Sequence, residues 1–147
     1  MDQLQRSLAI APAFDETNAL LGEVYASKAH AATTPEKRNH FFAQAAEAYQ
    51  AAIARVSRYS YDCALGDVYS EMLDVSRAIN TYRKCVDEAP AEMRSAIDEV
   101  IARQYLRLGD RNGALTYSRQ ALAEAPLDKR AHLIALIEEI TQFPLAK

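Results

Sequence analysis

The sequence predicts an all-α chain of stacked antiparallel helical hairpins, and three observations predict it. Only four of the 147 residues are glycine and five are proline, while alanine, leucine, glutamate and arginine, all good helix formers, are plentiful. Apolar and small residues recur at helical rather than alternating spacing. The third observation is an internal repeat: Leu8-Ala9-Ile10-Ala11-Pro12, Val86-Asp87-Glu88-Ala89-Pro90 and Leu122-Ala123-Glu124-Ala125-Pro126 are alike, and each leads into another amphipathic stretch. A repeat of this kind buries its core between neighbouring units rather than around one centre.

Two further series complete the repeat. Leu21-Gly22-Glu23-Val24-Tyr25 returns as Leu65-Gly66-Asp67-Val68-Tyr69 and, more loosely, as Ile101-Ala102-Arg103-Gln104-Tyr105, which marks the first helices of three hairpins. Each is followed by a second helix with alternating small and large residues: Ala45, Tyr49, Ala52, Ile53; Ala78, Tyr82, Cys85, Val86; Ala114, Ser118, Ala121, Leu122. Small residues at a helix crossing let two backbones approach, and a ring one turn later fills the gap beside them.

The pattern resembles the tetratricopeptide repeat family, with its Leu-Gly-x-x-Tyr first helix, alanine-led second helix and closing proline. The resemblance implies a right-handed superhelical α-solenoid forming a single domain over residues 1–147.

In chain order, residues 2–12 read as the trailing helix of a partial repeat, so that the chain begins mid-repeat, either as a fragment of a longer protein or with this helix closing the N-terminal end of the stack. Residues 15–57 form a long hairpin with about ten extra residues, around 27–40, and no closing proline. Thr34-Pro35-Glu36 reads there as an N-cap followed by proline at the first helical position, so a second helix is expected from Pro35 to about Val56. That gives the first hairpin two additional turns. The hairpin over 60–90 matches the repeat closely. The hairpin over 94–126 keeps its proline and a turn at Gly109 but has Ala102 for the family's glycine and Ser118 for its ring, with Tyr117 alongside to compensate. Residues 128–143 read as an amphipathic C-terminal capping helix.

The bulk numbers exclude several functions. A formal charge of −3, a charged fraction of 25% and no long run of one sign leave no footprint for a nucleic-acid backbone. The longest apolar stretch, 132–140, is far short of the roughly 20 residues of a membrane span, and the N-terminus lacks the pattern of a secretory signal. The reading is therefore cytoplasmic, with a removed signal sequence as the alternative. Cys63 and Cys85 are too few and too far apart for a disulfide framework or a zinc site, and are expected to be reduced packing residues.

No phosphate loop, metal-ligand cluster or nucleophile motif occurs, and helical hairpin arrays present a curved surface rather than a closed pocket. No enzymatic activity, cofactor or metal is expected. His30, His40 and His132 are scattered and read as solvated surface residues. Tyr25, Tyr49, Tyr69, Tyr82 and Tyr105 fall on packing positions and read as core.

In the family that the chain resembles, first helices line a concave face. This implies a groove of Glu16, Leu20 and Glu23, then Cys63, Asp67, Ser70 and Glu71, then Glu99, Val100, Arg103 and Arg107, acidic at one end and basic at the other. The lysine, asparagine and arginine clamp with which some family members grip acidic chaperone tails is absent. Glu23 and Asp67 would instead repel such a tail. The expected function is a scaffold or adaptor that holds a segment of a partner protein. One alternative is a self-associating assembly protein, with Leu133, Ile134, Ile137 and Ile140 of the terminal helix meeting a second copy. Another is the non-catalytic repeat portion of a larger enzyme or regulator.

Overall fold

The computed structural model describes residues 15–142, and every regular element among them is an α-helix. The chain divides at Asp74 and Val75 into two compact units. The expected helix over 2–12 and Phe143 at the end of the last one lie outside the described residues.

The first unit holds α1 (Asp15–Ala31), α2 (Pro35–Arg55) and α3 (Tyr59–Glu71). The extra residues of the first hairpin are helical on both sides of a short connection. The side chain of Thr34 caps α2 by accepting from Lys37 N at 3.3 Å, with Pro35 in the first turn where no amide is needed. At 21 residues, α2 exceeds the 14-residue second helix of the later hairpin by two turns.

α1 and α2 pack as an antiparallel hairpin, and α3 packs on α2. Gly22 brings α1 against the ring of Tyr49, whose atoms lie 2.8–2.9 Å from where a Cβ would stand. The ring therefore fills the crossing made by the glycine of its own hairpin, not only the space toward the next. Polar contacts close the other side: Tyr61 Oη donates to Asp15 Oδ2 at 2.8 Å, and Arg58 reaches Asp15 at 3.3 Å.

The second unit holds α4 (Val75–Glu88), α5 (Ala91–Arg107), α6 (Arg111–Glu124) and α7 (Leu127–Gln142). α5 and α6 form its hairpin, α4 packs on α5 and α7 on α6. Pro90 is the N-cap of α5, and Pro126 stands immediately before α7, so each closing proline is also the start of the next helix. Ala102 and Ser118, which replace the glycine and the ring, are both fully buried, and in this hairpin Gly113 of α6 meets the ring of Tyr105. Tyr117 stacks on Tyr105 with centroids 5.5 Å apart. Leu133, Leu136 and Ile140 of α7 form the apolar cluster with Ala114 and Ala121 of α6.

The same cap ends α3 and α5. Asp74 N donates to Tyr69 O and Asp110 N to Tyr105 O, both at 2.9 Å, with the preceding residue in the left-handed region. Gly109 fills that place at φ 74° after α5, but Leu73 does so at φ 61° after α3.

Neither cysteine is a free thiol. Cys63 and Cys85 are both disulfide-bonded, which corrects the expectation of reduced packing residues. Burial alone, complete for Cys85, does not distinguish the two states.

Candidate functional site

The residues expected to line a groove are placed on first helices, and the two units present them separately. In the first unit Glu16, Leu20 and Glu23 of α1 are exposed, as are Asp67 and Glu71 of α3, while Cys63 and Ser70 are half-buried. Several of these charges are already engaged. Glu71 pairs with Arg38 of the lengthened α2 at 3.0 Å, and Glu16 lies 3.5 Å from Arg58. A cavity of about 190 Å³ opens here between His30, Phe42, Tyr49, Asp67 and Glu71. Burial, then the charges of Glu23 and Asp67, push the Tyr49 phenol up to about 12, so it stays a neutral donor on this wall.

In the second unit a larger cavity, about 480 Å³, runs between α5 and α7. Its α5 wall is the stripe Glu92, Ser95, Ala96 and Glu99, one helical turn apart. Its α7 wall includes Lys129, His132 and Leu133, with Pro126 and Asp128 at the α7 start. Ser95 Oγ is committed to Ala121 O at 2.7 Å, so the groove's polar chemistry lies in its charged residues.

Glu99 is the centre of that chemistry. Its Oε1 receives Arg103 Nη2 at 2.8 Å and meets His132 Nε2 at 2.9 Å. Partial burial works to raise the Glu99 pKa, but the hydrogen bonds from His132 and Arg103 outweigh it and hold the carboxyl below its ordinary value. An ionised carboxylate only accepts, so His132 carries a proton on Nε2. The 3.3 Å approach of Arg103 to that nitrogen is then one between two donors.

The structure brings Glu99 and Arg103 together, leaves Val100 half-buried and Arg107 exposed. Arg103 is therefore an engaged cation. His132, read from sequence as a solvated residue, joins the groove wall. Its signal lay in treating residues after Pro126 as the first helix of a next repeat rather than as a cap. Of the expected self-association residues, Leu133 and Ile140 are buried against α6, Ile137 is half-buried and only Ile134 is exposed, at 44%. Among the described residues no group of His, Cys, Asp or Glu is placed to hold a metal ion, and no helix is long and apolar enough to cross a membrane.

No family model matches the chain, and no curated protein matches it. Solved structures do. A thermophilic TPR protein of Thermus thermophilus superposes with a TM-score of 0.72 at 21% identity, over 92% of this chain and 70% of that one. The fold is thus of the tetratricopeptide type, an all-α repeat fold.

Proposed function

We propose that this tetratricopeptide-type chain is a non-catalytic scaffold or adaptor that holds a segment of a partner protein against its first helices. The observation that carries the reading is the open α5–α7 groove, with apolar Ala96, Pro126 and Leu133 beside the Glu99, Arg103 and His132 cluster. Apolar contacts there supply affinity, and the charges set orientation and on-rate. Acidic groups of the partner meet Arg103 and Arg107 in the second unit by exchange with present partners such as Glu99, and basic groups meet Glu23, Asp67 and Glu71 in the first, Glu71 by exchange with Arg38.

The test is affinity capture from a lysate with mass spectrometry, followed by calorimetry on the captured segment. Ala96 is exposed on the groove wall, so Ala96→Arg obstructs the groove without entering the core. Loss of affinity in Ala96→Arg, and a changed salt dependence when Arg103 and Arg107 are replaced by Glu, support the reading. Unchanged binding in both removes the groove from consideration.

Self-association through α7 has a narrower basis, because α6 already covers Leu133, Leu136 and Ile140. Sedimentation at micromolar concentration decides it, and a monomer excludes it. The cytoplasmic reading meets one opposing observation, the bonded state of Cys63 and Cys85, since disulfides persist in oxidising compartments. Thiol titration of the denatured, unreduced chain separates the two: no free thiol favours the oxidising compartment, two favour the cytoplasm.

A further inference from the structure

The second unit has another concavity, formed by the α4 end, the first half of α5 and the α6 end. It measures about 390 Å³, and its lining includes Val86 and Asp87 of α4, Arg94 and Asp98 of α5, and Ala123 and Glu124 of α6. Asp98 is only 6% exposed, yet its side chain lines this space and makes no hydrogen bond or close ion pair with any described residue. Arg94, one turn away, is drawn aside by the bond from its Nε to Ala89 O at 3.1 Å. Three carboxylates thus face the concavity against one guanidinium.

A buried carboxylate with no partner is costly, and native structures rarely leave one so. Burial, then Glu124 and Asp87 against the opposing charge of Arg94, push Asp98 up to about 6, which still leaves it ionised at neutral pH. The notch is suited to a cation. The acidic groups do not converge as metal ligands do. An extended organic cation fits better, because Val86 and Ala123 offer apolar surface to a methylene stem while the carboxylates take its charged head.

We propose that this notch receives the basic side chain, lysine or arginine, of a partner protein, with Asp98 as its principal acceptor and Asp87 and Glu124 at the rim. It is a contact surface distinct from the α5–α7 groove, on another face of α5, and it stands whether or not that groove binds a segment.

The test uses the full chain at neutral pH, with the Asp98 side-chain carboxyl resonance followed by carbon-detected NMR. The probes are Nα-acetyl-lysine methylamide, Nα-acetyl-arginine methylamide and the neutral Nα-acetyl-norleucine methylamide. A saturable shift with either basic probe and none with norleucine is expected, and the tighter of the two names the side chain. Removing one member of a desolvated charge pair should weaken binding about tenfold or more in Asp98→Asn, followed through neighbouring amides. The rim variant Glu124→Gln should weaken it only about twofold. Ala96→Arg, in the other groove, should leave the shift intact. Equal binding of norleucine, full binding by Asp98→Asn, or no shift with either basic probe would overturn the proposal.

Discussion

Replacing Gly22 by alanine isolates the contact on which the first unit is built. The new Cβ would stand 2.8 Å from Tyr49 Cε2 and 2.9 Å from Cδ2 and Cζ, so three atoms of one ring are met at once. Ordinary carbon contacts begin near 3.5 Å, so the ring must retreat by about half an ångström or more. Tyr49 is only 5% exposed, so any retreat toward the adjoining cavity breaks packing contacts. Overpacking of this kind costs about 1–3 kcal/mol, against which alanine in a helix interior returns about 0.5–1 kcal/mol. The expected net loss is about 1–2 kcal/mol. If the ring is the cause, the sign reverses once it is removed: in a Tyr49→Ala background, Gly22→Ala should stabilise by about 0.5–1 kcal/mol. Amide exchange of α1 and α2 reads this unit by itself, and urea unfolding by circular dichroism checks the sum. Should Gly22→Ala stabilise the native sequence as much as the Tyr49→Ala variant, the ring-on-glycine crossing contributes nothing and the reasoning fails.

Asp98 makes a prediction about pH. A folded pKa near 6 against 3.8 corresponds to about 3 kcal/mol of destabilisation by the ionised form. Because the folded value is the raised one, that cost is absent below about pH 4 and grows as pH rises through 6. Asp98→Asn should therefore be more stable than the native chain at pH 8 by about 1–3 kcal/mol, with the advantage gone at pH 4. A difference in urea midpoint that does not vary with pH would count against it. Leu73, at φ 61° and 78% exposed, holds a conformation that suits glycine, so Leu73→Gly should stabilise by about 1 kcal/mol in thermal unfolding. Gly109→Ala, at the matching cap, should lose about as much. The Ser118 hydroxyl is fully buried without a partner among the described residues, so Ser118→Ala should be neutral or stabilising by about 1 kcal/mol, and a loss in urea stability would reveal a partner for it.

Most of the fold was legible because its determinants are local. Thr34 and Pro35 announce the start of α2 through the N-cap oxygen and an absent amide, and the helix begins there. Pro90 and Pro126 also stand at helix starts, Pro90 as the N-cap of α5 without a capping side-chain bond. The glycine of Leu21-Gly22-x-x-Tyr25 is legible because its missing Cβ and the ring of Tyr49 on the second helix answer each other in volume. Leu73 was not legible, since a leucine in the left-handed region is imposed by the capping bonds of a repeat and not by its own preference. The state of Cys63 and Cys85 was not legible either, because cysteine pairing depends on proximity that spacing does not encode.

The placement of the candidate residues on first helices was legible, but the pairing of their charges was not. Glu99 and Arg103 were read as separate features of a groove, but four residues apart on α5 they bond each other, and His132 completes the set from a helix regarded as a cap. Asp98 shows why such misreadings arise. Charged helix residues usually face water, yet three residues before Leu21, Leu65 and Ile101 stand Asn18, Asp62 and Asp98, all buried. One turn before a packing residue lies the same packing face. Aligning the three first helices thus puts a polar group into the interior of every hairpin, and its cost must be met locally each time. At Asp98 the charge of Arg94 offsets only part of it and no described residue hydrogen-bonds the carboxylate, so the chain holds a buried anion facing an open notch, and a ligand of opposite charge is the simplest compensation.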